Sequence, residues 1–297
     1  MKLSICIVNF NAKEYLRKCL ESIYATSSKE SFEIIVVDNA SSDGSQEMIE
    51  QNFKKVRLIK NSENLGFAKA NNQALKASNG EYLFVLNNDT IVSNNSLDIL
   101  IKFMKEHPEV GACGPKILNA DGTIQHQCKR GFPTPWNSLS YFLKLDKLFP
   151  KSKLFGGYLL TYLDSEKIQE VNSLSGAAML VKDKIIKEVG YMDENYYLYA
   201  DDIDWCYRIK KAGWKIYYLP EAQIIHYGGK GGTAKKPYRN IYYFYRTAFL
   251  FYRKHLAKSY LFLINWLVYF GILTKFIITL LLNLLKKEKT IGSKKPS

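Results

Sequence analysis

The chain has 297 residues, of which 47% are hydrophobic, 14% aromatic and 24% charged, so it can bury a full core and is poorly suited to disorder. Its net charge of +14 is unevenly spread: residues 1–229 hold 28 Lys and Arg against 27 Asp and Glu, whereas residues 230–297 hold 14 against 1. Five cysteines, at 6, 19, 113, 128 and 206, form no close pair, which argues against a disulfide scaffold or a thiolate zinc site and suits a reducing compartment.

The opening run MKLSICIVNF reads as a strand over 3–10 rather than as a secretory leader. A helix is expected over 15–26, then a short apolar strand, FEIIVVD, over 32–38. SSDGSQEMIE opens a second helix with Ser42 or Asp43 as cap. VRLIK (56–60) is a third strand, followed by a helix over 67–78 that Asn79-Gly80 stops. YLFVLN (82–87) is a fourth strand, and a helix over 96–106 ends before Pro108. Strand–helix units of this length require a mostly parallel sheet with helices on both faces. Ligands of such sheets bind beyond the carboxyl ends of the strands, so the polar residues after strands 1, 2 and 4 carry the interest.

Residues 110–131 read as a strand and a turn at 119–122, and 132–170 as irregular, Pro-punctuated loops or short helices. VNSLSGAAMLV (171–181) is strand-like, DDIDWCYRIKKAG (201–213) is helical up to Gly213, and WKIYYLP (214–220) is the strand after it. Residues 238–252 contain eight Tyr and Phe. SYLFLINWLVYFGILT (259–274) and FIITLLLNLL (276–285) are uncharged and separated by Lys275. Three arrangements fit this tail: a helix in the membrane interface with Lys275 snorkelling, a pair of short or tilted membrane segments, or a buried helical hairpin. Basic residues flanking a long aliphatic run suit an anionic membrane surface and not nucleic acid, which needs exposed cations tracking phosphates.

Four groups of residues could carry chemistry. Asp38 ends a hydrophobic strand, where a carboxylate can accept bonds from a ribose hydroxyl or a base N–H, and Asp43 follows as a turn or cap residue or a second ligand contact. Asn87-Asn88-Asp89 places one hard carboxylate among amides at the same edge, a site for Mg²⁺ or Mn²⁺ bridging a substrate diphosphate. Asp201, Asp202 and Asp204 crowd a helix start; one of them could act as general base, while Asp204 is also spaced to pair with Arg208. His226, before glycines 228, 229, 231 and 232, could complete the metal site or hold a phosphate oxygen, and Lys69 could face phosphate or water. Those glycines match neither a Walker loop nor a dinucleotide fingerprint.

Taken in order, IVNFN, VVDNASSDGS, NSENLGFAKANN, VLNNDT, SGAAMLVK and GYMDENYYLYADDIDWCYRIKKAGWKIYYLPEAQIIHYGG resemble the inverting glycosyltransferases of family 2, and more narrowly their rhamnosyltransferase-like bacterial members. The resemblance runs from residue 3 to about 229, with 132–170 unlike any fixed pattern. It implies an α/β GT-A fold over 1–229, a donor half to about 118 and an acceptor half beyond it. A loop and aromatic basic helix would follow over 230–255, and a membrane-associating helical tail over 256–297. It further implies that Asp38, Asn9 and Asn11 lie at the nucleotide, that Asp89 and His226 meet Mn²⁺ or Mg²⁺, and that Asp202, beside Asp201, is the base. Two positions depart from the family pattern: Asn87 replaces the first Asp of the metal motif, and Asp201 replaces a Glu. Asn88, Asp43, Lys69 and Asp204 complete the expected donor contacts.

The expected reaction moves a sugar from a nucleoside diphosphate donor, dTDP-rhamnose or a UDP-sugar, to a glycan or polyprenyl-diphosphate-linked glycan at the cytoplasmic face of a membrane. Three other readings compete. A nucleotidyltransferase would show a glycine-rich basic loop after strand 1, where this chain has NFNAKEYL. A transferase acting on polyprenyl monophosphate would share the module. A non-enzymatic carbohydrate-binding scaffold would have lost Asp89 and the 201–202 pair, which are present.

Overall fold

The computed structural model describes residues 2–26, 28–229 and 237–285; glycines 231 and 232 and the terminal lysine-rich stretch lie outside them. One nine-stranded sheet organises the molecule. It contains β1 (Leu3–Asn9), β2 (Phe32–Asp38), β3 (Arg57–Lys60), β4 (Tyr82–Asn87), β5 (Thr90–Val92) and β6 (Val110–Leu118), together with β8 (Gln169–Glu170), β10 (Ala178–Lys182) and β11 (Lys215–His226). The order is β3-β2-β1-β4-β10-β6-β11-β5, with β8 on β11, and a separate two-stranded ladder pairs β7 (Lys129–Arg130) with β9 (Ser173–Leu174). The strands β3, β2, β1 and β4 are mutually parallel, β10 is inserted antiparallel between β4 and β6, and β11 runs parallel to β6.

The central strands are buried on both faces, so they read as continuous apolar runs rather than alternating ones. Helices supply the cover through stripes at helical spacing: α1 (Lys13–Ala25) buries Leu16, Cys19, Leu20 and Ile23. Further cover comes from α2 (Ser45–Asn52), α3 (Phe67–Ala77), α4 (Ser96–Glu106), α7 (Asp183–Val189) and α8 (Asp201–Lys211). All five cysteines are buried and free.

Register places the chemistry. Asn9 pairs with Asp38 across β1 and β2, and Val8 with Asn87 across β1 and β4, so three polar residues finish adjacent strands along one edge.

Several expectations need correction. α2 begins at Ser45, because Gly44 takes a left-handed φ of 80° and turns the chain before the helix can start. The run 171–181 is not one strand: it breaks between β9 and β10 at Ser175–Ala177, where the backbone turns towards α8. The strand expected over 214–220 continues to His226 through a register shift between Leu219 and Gln223. The tail is neither a pair of segments nor a buried hairpin. α9 (Pro237–Phe251) leads through a π-helical turn at Tyr252–Leu256 to a single helix, α10 (Phe262–Leu284), which passes through Lys275 unbroken. Between β7 and β8, α5 (Pro135–Phe142) and α6 (Leu145–Leu148) are the ordered helices of the irregular segment. Thr134 caps α5, accepting from Asn137 N, and Pro135 occupies its first turn.

Candidate active site

A cavity of about 860 Å³ opens at the carboxyl edge of β1 and β4 and extends between α5, α9 and α10. Asn88, Asp89, Asp201, Asp202 and His226 all line it, although they come from distant parts of the chain. Its size is within the range of small-molecule sites.

His226 is fixed from behind. Gln125 donates from Nε2 to the His226 carbonyl (2.6 Å), so its Oε1 is left to accept from Nδ1–H (3.0 Å). Nε2 then lies 3.1 Å from Asp89 Oδ1, with Asn87 Nδ2 at 3.2 Å beside it. Two lone-pair atoms this close repel unless a proton or cation lies between them, which suits a divalent ion held by one imidazole and one carboxylate. Among the described residues no cluster of three His, Cys, Asp or Glu side chains forms a complete metal site, so phosphate oxygens and water would supply the other ligands. The amide of Asn87 supports the histidine where the family pattern has a carboxylate.

Asp202 is also held before any ligand arrives. Its Oδ2 accepts from Arg130 Nη2 (2.6 Å) and from the Gly176 N–H (2.8 Å), and its Oδ1 from the Ile203 N–H (2.8 Å). The break between β9 and β10 therefore has a purpose: it turns the Gly176 N–H towards the carboxylate. A Cβ on Gly176 would sit 3.3 Å from Asp202 Cβ. Neighbouring Asp201 is buried, its Oδ2 has no hydrogen-bond partner among the described residues, and burial and the Asp202 charge push its pKa well above the usual carboxylate range. Tyr199 and Ala200, immediately before them, have φ of 69° and 60°, backbone strain that aims the start of α8 into the cavity.

The segment NSENLGFAKANN holds that strained loop. Phe67 N donates to Tyr197 O (2.8 Å), Tyr197 Oη to Asn64 O (3.2 Å), and Asn72 exchanges two bonds with the backbone of Met192. Gly66 is required at the crossing: its φ is 87°, and a Cβ would lie 2.7 Å from Tyr197 O.

The remaining expected residues stand outside the cavity. Asp38 is fully buried and accepts from Asn9 Nδ2, Ser41 N and Gln46 Nε2. These bonds hold its carboxylate in place at the end of β2, and Asn39 next door lines the cavity. Asn9 passes the order on, since its Oδ1 accepts from Asn88 Nδ2 (2.7 Å). Asn11 Oδ1 accepts from Ser42 N, and Asp43 accepts from Lys13 N and Ser45 N at the starts of α1 and α2. Lys69 is exposed on α3. Asp204 faces away from the cavity, bonded to Arg208, Lys254 and His255. Burial opposes its charge, but those three partners hold its pKa well below the usual carboxylate range. It ties α8 to the turn between α9 and α10.

Arg130, Gly176, Gln125 and Asn72 were not singled out by the sequence. Each acts on a partner between 26 and 120 positions away, and nothing local marks it.

The family model for glycosyl transferase family 2 matches residues 4–164, more than half of the chain. The chain belongs to glycosyl transferase family 2. Its sheet is the mixed, mostly parallel one of the GT-A fold, and it is an inverting glycosyltransferase. This family 2 chain is 26% identical over 261 residues to the N-acetylglucosaminyl-diphospho-decaprenol L-rhamnosyltransferase of Mycobacterium tuberculosis, covering 84% of this chain and 83% of that protein. It is 25% identical over 232 residues to rhamnosyltransferase WbbL of Escherichia coli K12, covering 75% and 82%. Among solved structures, S. aureus TarS 1–349 superposes with a TM-score of 0.55 at 18% identity, covering 87% of this chain and 68% of that one. The mannosyltransferase PcManGT from Pyrobaculum calidifontis, in complex with GDP-Man and Mn²⁺, gives 0.56 at 17%, covering 83% and 62%.

Proposed function

We propose that this glycosyltransferase moves a sugar, rhamnose from its nucleoside diphosphate, onto a glycan carried by a polyprenyl diphosphate, at the cytoplasmic face of a membrane. One observation carries the reading: a single cavity is lined by the Asp89–His226 pair, by Asp202 with Arg130, and by the long apolar helix α10. Both relatives are named as rhamnosyltransferases, which supports the donor sugar, and the mycobacterial one is named for an N-acetylglucosaminyl-diphospho-decaprenol acceptor, which supports the acceptor class.

The nucleotide would lie over Phe10 and Asn39, with its diphosphate towards Asp89 and His226. Mn²⁺ or Mg²⁺ held by that pair would neutralise the leaving diphosphate. Asp202 Oδ1 keeps a lone pair free beside its bond from Ile203, and this atom takes the proton of the acceptor hydroxyl. The hydroxyl oxygen bonds to the anomeric carbon as the carbon–oxygen bond to the diphosphate breaks on the opposite face. One base suffices because the centre inverts. Arg130 and the Gly176 N–H fix the other oxygen of Asp202, so the attacking hydroxyl meets a base of set orientation.

α10 would anchor the enzyme. It is the only helix among the described residues long and apolar enough to cross a bilayer, and about half of its residues are exposed. Its 23 residues extend about 34 Å, against a hydrocarbon core of about 30 Å.

The test is transfer by the purified protein in detergent, with dTDP-rhamnose and UDP-sugars, Mn²⁺ or Mg²⁺, and N-acetylglucosamine diphosphate carried on a prenyl chain. A mass increase of one deoxyhexose on the lipid-linked acceptor is expected from dTDP-rhamnose. Transfer only to prenyl monophosphate, or from none of the donors, would contradict the reading.

A further inference from the structure

The cavity continues past the carboxylates and the His–Asp pair to an apolar side lined by α5, α9 and α10. Three stripes run along α10. Tyr269, Phe276 and Thr279 pack on α9, with Tyr269 against Phe249 (5.0 Å between centroids), Phe276 against Tyr245 (5.6 Å), and Thr279 Oγ1 bonded to Tyr245 Oη (2.6 Å), while Asn265 bonds Tyr252 and Ala257 of the turn before α10. Leu263, Trp266, Phe270, Leu273, Ile277 and Leu281 are exposed outward. Ile264, Val268, Gly271, Ile272 and Lys275 form the third stripe, at three- and four-residue spacing, and with the exposed Leu267 at its margin they line the cavity that also holds Asp202. Opposite them stand Leu139 and Phe142 of α5.

Lys275 is the only charged residue of α10, and it lies on this inner stripe, half-buried, with its ammonium 5.5 Å from the centre of the Phe142 ring. The lining therefore offers hydrocarbon contact and, besides Arg239 of α9, the Lys275 cation set within it. That is the complement of an anion-headed hydrocarbon chain, and a free glycan would leave the apolar walls in water.

We propose that the space between α5, α9 and the inner stripe of α10 is a subsite for the isoprenoid tail of the acceptor, so that the enzyme binds the lipid itself and not merely the sugar it carries. This rests on the transferase reading above and deepens it. The tail lies along Ile264, Val268, Gly271 and Ile272, and the helix that meets the bilayer on its outer stripe guides the lipid to Asp202 on its inner one. Mid-helix Gly271 keeps the passage open: a Cβ there would meet no atom within 4 Å.

The experiment compares acceptor KM for N-acetylglucosamine diphosphate esterified to farnesol with that for the methyl ester, in detergent. The wild-type protein should favour the farnesyl acceptor by at least ~10-fold, a small part of what burying several isoprenoid carbons supplies. Gly271→Leu should bring the ratio close to one; the substitution fills open space and improves helix propensity, so folding is not at risk. Trp266→Leu and Phe270→Leu, on the outer stripe, should keep the wild-type ratio. Equal KM for the two acceptors in the wild type, or a Gly271→Leu protein with an undiminished farnesyl preference, overturns the subsite. Absence of transfer to either acceptor would instead refute the transferase reading on which it rests.

Discussion

The two ends of the cavity are made differently. At the sheet edge the polar groups are held by hydrogen bonds: Asp202 accepts three, Asp38 behind the cavity accepts three, and Asp89 stands beside a histidine whose other nitrogen is itself fixed. At the α10 end the lining is mostly aliphatic and aromatic, with Lys275, an unfilled glycine, and Arg239 and Thr247 contributed by α9. Polar geometry must be exact to tenths of an ångström to move a proton, so it is over-determined by hydrogen bonds. A hydrocarbon chain needs only volume and dryness, and the apolar end can be loosely shaped. The difference teaches that substitutions at the first end should change chemistry, and at the second end only who is accepted.

Asp202→Asn breaks the polar end most directly. Turnover should fall by about 10²–10⁴-fold while donor affinity by calorimetry stays within about twofold. An equal loss in donor binding would mean that Asp202 holds the donor and is not the base. Asp89→Ala should act on the other partner, lowering metal-dependent donor affinity by on the order of 10- to 100-fold. Donor binding that responds to Mn²⁺ as in the wild type would remove Asp89 from that role.

Asp204 tests the join between the two ends. Its side chain is fully buried among Arg208, Lys254 and His255, so Asp204→Ala leaves cations without their counter-charge and should cost about 3–5 kcal/mol in denaturant unfolding. A loss well under that would show that α8 and the α9–α10 turn are held together by packing alone. Gly66→Ala, at φ 87° and against Tyr197 O, should destabilise by about 1–3 kcal/mol, read as a lowered Tm.

The smallest effect concerns Asp201. Its pKa is raised in the folded protein by burial and by Asp202, so the folded state keeps a proton that the unfolded chain releases near 3.8. Its contribution is complete below that value and declines as pH rises through the raised folded pKa. Asp201→Asn should flatten this decline, making the variant relatively more stable in alkaline than in acidic buffer. An identical pH profile of Tm in both proteins would contradict the assignment.

Much of the fold was legible because a parallel sheet covered on both faces leaves continuous apolar runs. The strand at 82–87 and the helix at 96–106 fall where the pattern puts them. The strand ends were legible too, since Asn9, Asp38 and Asn87 interrupt those runs with polar groups. What a residue does at such an end was not. Asp38 has the sequence context of a ligand contact, and the bonds it accepts from Gln46, Ser41 and Asn9 depend on how a loop returns, which no local pattern shows. SGAA reads as strand because small residues are compatible with one; only the need of Asp202 for an N–H explains the break at Gly176. Lys275 suggested an interruption of the tail, yet the helix continues because that side chain turns to the cavity and not to the outer face.

Anomalous diffraction from crystals grown with Mn²⁺ and the donor's nucleoside diphosphate tests the central claim most directly. The account predicts a manganese peak bound by Asp89 Oδ1 and His226 Nε2, with the diphosphate on it and the nucleotide in the cavity that Asp202 lines. A peak remote from that pair, or a nucleotide bound on another face of the sheet, would contradict it.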